Sequence, residues 1–415
     1  ASSRSSANAR IASSVAHRAR ILRRLAGLIL DNRDRILDTI QAETGKARLS
    51  AFEEVMDASR AVRVFAGSAP RLLRSRRRPG AIPVLTRTVE HHRPVGVVGI
   101  INAWNYPFNL PASDGAEALL AGNAVVLKPD SQTPFTALLL AELLTEAGLP
   151  ADLFQVLPGS GSELGPALVA GVDHLMFTGS TATGRRLAVA CAERLVGFSG
   201  ELGGKNPLLV LADADLAAAA AGTTRAAFAN TGQVCVGIER AYVHEAVYAE
   251  FVDELLTQVS GLRLGIGYDW QVDVGSLSSA AQLANVVAHV DDAVAKGATV
   301  LAGGRARPDL GPYVYEPTVL TDVTEEMELC REETFGPVLA LYRVATDDEA
   351  VARANDSHYG LNASVWSTRH GPEIAARLRV GTVNVNEGFA ATWGSHAAPM
   401  GGVGESGMGR RHGSQ

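Results

Sequence analysis

Cysteine is scarce in this chain: three in 415 residues, Cys191, Cys235 and Cys330. Their spacing builds neither a disulfide framework nor a metal site, which excludes a stapled secreted scaffold and points to a reducing, cytoplasmic setting with no metal. Positive charge is not in excess either. With 38 Lys and Arg against 44 Asp and Glu, the formal net charge of −6 gives no ground for a nucleic-acid or anionic-membrane partner. Long apolar runs are missing; none approaches the roughly 18 residues that a membrane span requires. No acid precedes Asp31, a composition shared with mitochondrial transit peptides. That stretch nevertheless carries Ile21, Leu22, Leu25, Leu28 and Ile29 at helical spacing into Asp31-Asn32-Arg33-Asp34, so an amphipathic helix is expected instead.

What is present is an ordinary soluble composition, 47% hydrophobic and 20% charged, in a chain long enough for two domains. Val15 to about Gly67 reads as two long helices with a break at Gly45. Arg74 to Gly80 reads as a charged, solvated loop, and Val84 to Val89 as a strand. His91-His92 has no acid or thiol at ligand spacing and is read as structural. Between Val95 and Phe177 short apolar runs alternate with helical stretches, which implies βαβ units and a parallel sheet. The alternation restarts at Asn206. A second α/β domain follows, with Gly203-Gly204 as the boundary.

Chemistry concentrates at the two ends of one stretch. Glu201 opens Glu201-Leu202-Gly203-Gly204-Lys205-Asn206-Pro207 on the edge of one domain, and Cys235 closes Asn230-Thr231-Gly232-Gln233-Val234-Cys235 in the other. A free thiol titrates near roughly 8.5 and needs a base before it is a nucleophile. One reading brings base and thiol together in an interdomain cleft. The other makes Cys235 a buried small hydrophobe and Glu201 a solvated charge beside a helix.

Both segments resemble the two signature motifs of the aldehyde dehydrogenase superfamily. Five further blocks are similar to that family and stand in its order: Trp104-Asn105-Tyr106-Pro107, Leu127-Lys128-Pro129, Phe177-Thr178-Gly179-Ser180, Glu332-Glu333-Thr334-Phe335-Gly336-Pro337, and Pro399 to Gly407. The resemblance covers about Ile100 to Arg411. It implies an α/β fold of two Rossmann-like domains, an NAD(P)-binding one over 1–72 and 96–203 and a catalytic one over 204–406. A bridging hairpin over 73–95 would serve subunit contacts in a homodimer or homotetramer. Residues 407–415 would be a truncated C-terminal segment, since relatives continue into a strand that joins a neighbouring subunit.

The same resemblance places Gly179 and Ser180 on the cofactor phosphates, Lys128 on the adenine ribose, Glu333 on the nicotinamide ribose and Phe335 beside it, with Trp104 and Leu202 in the same cofactor set. The residues themselves agree in part. Phe177 to Gly184 reads as strand, turn and helix start, whose exposed N–H groups suit a pyrophosphate, although the turn is not G-x-G-x-x-G. Gly159-Ser160-Gly161 is a weaker version of the same signal. Lys128 ends a strand, at the carboxyl edge where such sheets bind ligands. Ser131 stands where NAD-restricted relatives carry a glutamate that repels a 2′-phosphate, so NADP is expected to be used at least as well as NAD. The alternative for Glu333 is an exposed acid in the run Glu325 to Glu333.

In the family's chemistry Cys235 attacks the aldehyde carbonyl. The Asn105 amide and the Cys235 backbone N–H hold the oxyanion, and Glu201 activates the water that hydrolyses the thioester left after hydride transfer. Lys205 is supporting. Read alone, Asn105 before Tyr106-Pro107 is a turn residue, and Cys191 and Cys330 are structural. Two rival functions fit the resemblance less well. Relatives that pass the acyl group to coenzyme A commonly lack the equivalent of Glu201, and a non-catalytic structural protein would have no need of Cys235, Glu201 and Asn105 together. Similarity over the whole length makes succinate semialdehyde the first expectation for the substrate. Carboxylate-binding arginines of that group are replaced here by Ser113 and Ala229, which leaves a neutral aliphatic or aromatic aldehyde open. Trp393 and His396 are candidates for the entrance.

Overall fold

The computed structural model describes residues 14–413. Three helices, not the expected two, open it: Val15–Asp31, Arg33–Thr44 and Arg48–Leu72. The additional break falls at Asn32, whose backbone N–H and side-chain amide both donate to the Leu28 carbonyl, at 3.0 and 2.9 Å, and close the first helix. Apolar spacing continues across this break, which hides it from a periodicity argument. Gly45, at φ 70°, ends the second helix in the left-handed region. Leu22, Leu25 and Ile29 of the first helix and Val55 and Val62 of the third are buried in one core with Leu139 and Leu140.

The charged segment after these helices is a strand rather than a loop. β1, Arg76–Arg78, pairs antiparallel with β2, Thr88–Glu90, with Arg76 opposite Glu90 and Arg78 opposite Thr88, and the Arg78 guanidinium reaches diagonally to Glu90 at 2.5 Å. The strand expected from Val84 starts four residues later, and Val84 and Leu85 are exposed in the turn.

Five parallel strands form the body of the first sheet: β3 (Val97–Ile101), β4 (Ala124–Lys128), β5 (Phe154–Val156), β6 (His174–Thr178) and β7 (Gly197–Glu201). From β3 the chain steps outward to β4 and β5, then returns to lay β6 and β7 on the other side of β3. That reversal opens a crevice beyond the carboxyl ends of β3 and β6, the position where open α/β sheets bind ligands.

The second sheet contains β8 (Asn206–Val210), β9 (Ile238–His244), β10 (Thr299–Ala302), β11 (Thr318–Thr321), β12 (Val338–Val344), β13 (Asn362–Trp366) and β14 (Thr382–Val385), in the order β10-β11-β12-β9-β8-β13-β14. Only β10 runs antiparallel to its neighbour. Every residue of β8 and β13 is buried, as expected for central parallel strands covered on both faces. Leu202 to Lys205 connects the two sheets, between the end of β7 and the start of β8. A last strand, β15 (Gly407–Met408), returns to the first sheet and pairs antiparallel with β7, Gly407 opposite Glu201. Among the described residues no helix is long and apolar enough to cross a membrane.

Candidate active site

The thiol of Cys235 is presented by a strained turn. The helix Leu216–Phe228 gives way to Asn230 and Thr231, both left-handed at φ 51° and 57°, and then to Gly232 at φ 70°. A Cβ at Gly232 would collide with the Gly336 carbonyl, so only glycine fits there. Side chains fix the turn. Asn230 Nδ2 donates to the Gln233 carbonyl at 3.0 Å, Gln233 Nε2 donates to the Asn230 carbonyl at 3.2 Å, and Gln233 Oε1 accepts the Ser278 N–H at 3.0 Å. Asn105 joins the same set by donating one Nδ2 hydrogen to the Gln233 carbonyl at 3.0 Å. Its other amide hydrogen remains for a ligand.

Two residues absent from the sequence reading hold Asn105. The Lys46 ammonium donates to the Asn105 carbonyl at 2.6 Å and pairs with Glu54 at 2.8 Å, both side chains fully buried. Glu54 in turn accepts the Phe108 N–H at 2.7 Å. Removing either partner would leave an uncompensated buried charge. Nothing in the sequence distinguishes Lys46 and Glu54 from surface helix charges; only the packing of the third helix against Asn109–Ala121 brings them inside.

Glu201 ends β7 and is 4% exposed, with Oε2 lacking any hydrogen-bond partner. It is not a solvated charge. Burial pushes its carboxyl up to about 7, Asp114 adds to the rise, and Arg411 and Arg410 oppose it. Burial also pushes the Cys235 thiol up to about 12, with Glu201 and Glu333 adding to the rise while Arg411 and the Val236 N–H oppose it. At neutral pH the thiol therefore carries its proton, and the neighbouring carboxyl is poised to exchange one.

Cys235 stands between two cavities. On one side lies a cleft of about 470 Å³, bounded by Trp104, Asn105, Gly179, Ser180, Glu201, Leu202, Glu333 and Phe335. On the other lies a smaller cavity of about 80 Å³, lined by Tyr106, Ser113, Trp393, Met400, Arg411 and His412 with the acids Glu53, Glu54 and Asp57. Ala229 and His396 line neither; His396 is buried with Nε2 2.9 Å from Asp57 Oδ1.

Glu333 is no exposed acid. Its Oε1 accepts the Gly204 N–H at 2.8 Å, and burial pushes its carboxyl up to about 8, with Glu239 adding to the rise. A Cβ on Gly203 would come within 2.5 Å of Glu333 Oε2, so glycine permits this approach. Phe335 sits at φ 53° and meets Trp104 edge to face, centroids 5.5 Å apart. The Glu239 carboxylate accepts the N–H groups of Thr334 and Phe335, and Lys205 pairs with Glu239 at 2.5 Å. Lys205 thus supports the turn that carries Phe335.

Lys128 and Ser131 lie outside the lining of this cleft, at the end of β4. Ser131 Oγ donates to the Gly159 carbonyl at 3.0 Å, and a Cβ on Gly161 would be 3.8 Å from Lys128 Nζ. The Gly159-Ser160-Gly161 turn, discounted on sequence, is therefore the direct neighbour of both residues.

A dinucleotide fits this arrangement. Ser180 caps the helix Thr181–Glu193 without a side-chain bond to its backbone, its hydroxyl turning to Thr183 Oγ1 at 3.2 Å, so the first N–H groups of that helix are uncapped at the cleft. Glu333 lies in the same lining, and Lys128 and Ser131 stand along the same strand ends. A switch-point crevice with an open helix N-terminus and a thiol on its wall defines a class, the nucleotide-dependent dehydrogenases.

Within that class the chain belongs to the aldehyde dehydrogenase family, whose pattern matches residues 2–415. It is 57% identical over 402 residues to a protein of Mycolicibacterium smegmatis provisionally named succinate-semialdehyde dehydrogenase [NADP(+)], covering 96% of this chain and 78% of that one. Among solved structures it is similar to one described as an E. coli NADP dependent enzyme, with TM-score 0.95 and 36% identity over 99% of this chain and 85% of that chain. A 3,6-anhydro-L-galactose dehydrogenase in complex with NAP gives TM-score 0.93 and 35% identity, over 99% and 87%.

Proposed function

We propose that this protein oxidises a short aldehyde to its carboxylic acid with NADP, through an acyl group carried on Cys235. The observation that supports this most is the position of the thiol, with the Glu201 carboxyl on the wall of the large cleft and a smaller cavity on the other side. The Cys235 thiol releases its proton to solvent as Sγ adds to the carbonyl carbon. The free hydrogen of Asn105 Nδ2 and the Cys235 N–H are the donors offered to the oxyanion, a type of contact worth roughly 10²–10³ in rate. A nicotinamide dinucleotide, held by Trp104, Gly179, Ser180, Leu202, Glu333 and Phe335, supplies the hydride acceptor. Glu201 then takes a proton from water as the water oxygen bonds to the acyl carbon and the C–S bond breaks, which frees the acid and the thiol.

NADP is favoured over NAD because position 131 carries a hydroxyl and no carboxylate, with Lys128 beside it. The relative's name puts succinate semialdehyde first among substrates. One observation favours a neutral aldehyde instead: the cavity has acids on its wall, and its arginine, Arg411, is engaged by Asp114 at 3.0 Å. Comparing kcat/KM for succinate semialdehyde and butanal, each with NADP and NAD, separates these readings. Absence of turnover with every aldehyde would defeat the proposal.

A further inference from the structure

Arg411 lies outside the motif blocks, yet its side chain is buried. Its backbone pairs with Met400 through two hydrogen bonds of 2.8 Å, which pins the residue against the segment Met400-Gly401. Its guanidinium donates to Thr178 Oγ1 at 2.6 Å and lies 3.0 Å from Asp114 Oδ2. Thr178 is the residue paired with Glu201 across β6 and β7, so the two side chains share a face at one strand spacing. On the other flank Glu201 Oε1 packs on Gly401, where a Cβ would come within 3.0 Å. Arg411 is thus held next to the carboxyl from two directions, and it lines the small cavity with Cys235. Both Arg411 Nε and Glu201 Oε2 are buried without a hydrogen-bond partner.

We propose that Arg411, balanced against Asp114, is a positioning residue for hydrolysis of the acyl-thiol: its fixed positive charge sets how readily Glu201 takes the proton of the attacking water. This rests on the roles given above to Cys235 and Glu201. In the step concerned the water oxygen bonds to the acyl carbon, its proton passes to Glu201, and the C–S electron pair returns to sulfur. The charged and titratable groups facing Glu201 are Arg411, Arg410, Asp114 and Cys235; those facing Arg411 add Glu117 and His412. Arg411 and Asp114 act on Glu201 with opposite signs, Arg411 favouring the ionised form and Asp114 opposing it.

The test needs no nucleotide. p-Nitrophenyl acetate acylates Cys235 with release of p-nitrophenolate, and hydrolysis of the acyl-thiol then limits turnover. The burst and steady-state rates are measured across about pH 5.5 to 9, where a base of this kind titrates. Arg411→Met should keep the burst and move the acid limb of the steady-state rate upward by about one pH unit or more, slowing hydrolysis about tenfold at neutral pH. Asp114→Asn should move that limb downward, the double variant should fall between the two, and Arg411→Lys should restore most of the rate. Limbs that stay in place while every variant slows, or a limb raised by Asp114→Asn, would overturn the proposal even if Arg411→Met fails to fold. A wild-type protein with no burst would overturn the acyl-enzyme reading and this inference with it.

Discussion

Replacing Glu201 with glutamine should damage catalysis and stabilise the fold, and the second effect should depend on pH in a stated direction. The Glu201 carboxyl is held at about 7 against an ordinary value of 4.5, chiefly by burial. A group whose folded value is raised contributes stability that is full below about 4.5 and is lost as the pH rises through about 7. Each pH unit between the two values is worth about 1.4 kcal/mol, so an ionised Glu201 at pH 8 costs the folded state about 3 kcal/mol. Glutamine keeps the shape and cannot ionise. The stability difference between Glu201→Gln and the parent should therefore grow by about 3 kcal/mol between pH 4.5 and pH 8. For a chain of this length unfolding as one unit, that is a midpoint gain of about 3–4 °C at the higher pH. Calorimetry of both proteins at several pH values measures it. A difference that stays constant with pH would refute the reasoning, because it would mean that Glu201 reaches solvent or has a partner when ionised. The same variant should still acylate and should hydrolyse the acyl-thiol roughly 10²–10⁴ more slowly.

Other outcomes follow from single contacts. Asn105→Ala should lower kcat roughly 10²–10³-fold with little change in nucleotide binding; full activity would remove Asn105 from the oxyanion site. Ser131→Glu should restore the repulsion of a 2′-phosphate and shift kcat/KM towards NAD by at least about tenfold, and steady-state kinetics with both nucleotides would show an unchanged ratio if Ser131 lies too far away. Lys46→Met should destabilise the fold by about 3–5 kcal/mol by stranding Glu54, while Lys46→Met with Glu54→Leu should recover most of the loss; denaturant titration of both variants and the parent distinguishes a buried pair from a surface one.

Much of the organisation was legible in the chain. Alternating apolar runs and helical stretches gave the two parallel sheets, because central strands such as Leu208 to Leu211 are apolar throughout. Cys235, Glu201 and Asn105 were legible as candidates only through their motifs; periodicity alone would leave Asn105 as a turn. Local hydrogen bonding escaped, as at Asn32, where a helix ends without any change in apolar spacing. Long-range pairing escaped too. Arg411 becomes buried only when the chain returns to the first sheet through β15, and its partners Asp114 and Thr178 come from two other elements. The arginines of β1 look like a solvated run until β2 brings Glu90 within reach of Arg78.

The central claim is a covalent acyl group on one sulfur. Mass spectrometry of the Glu201→Gln protein, quenched during turnover with NADP and an aldehyde and then digested, measures it most directly. The expected result is an added acyl mass on the peptide that contains Cys235, lost in Cys235→Ala together with turnover. Acylation confined to Cys191 or Cys330, or undiminished oxidation by Cys235→Ala, would contradict it.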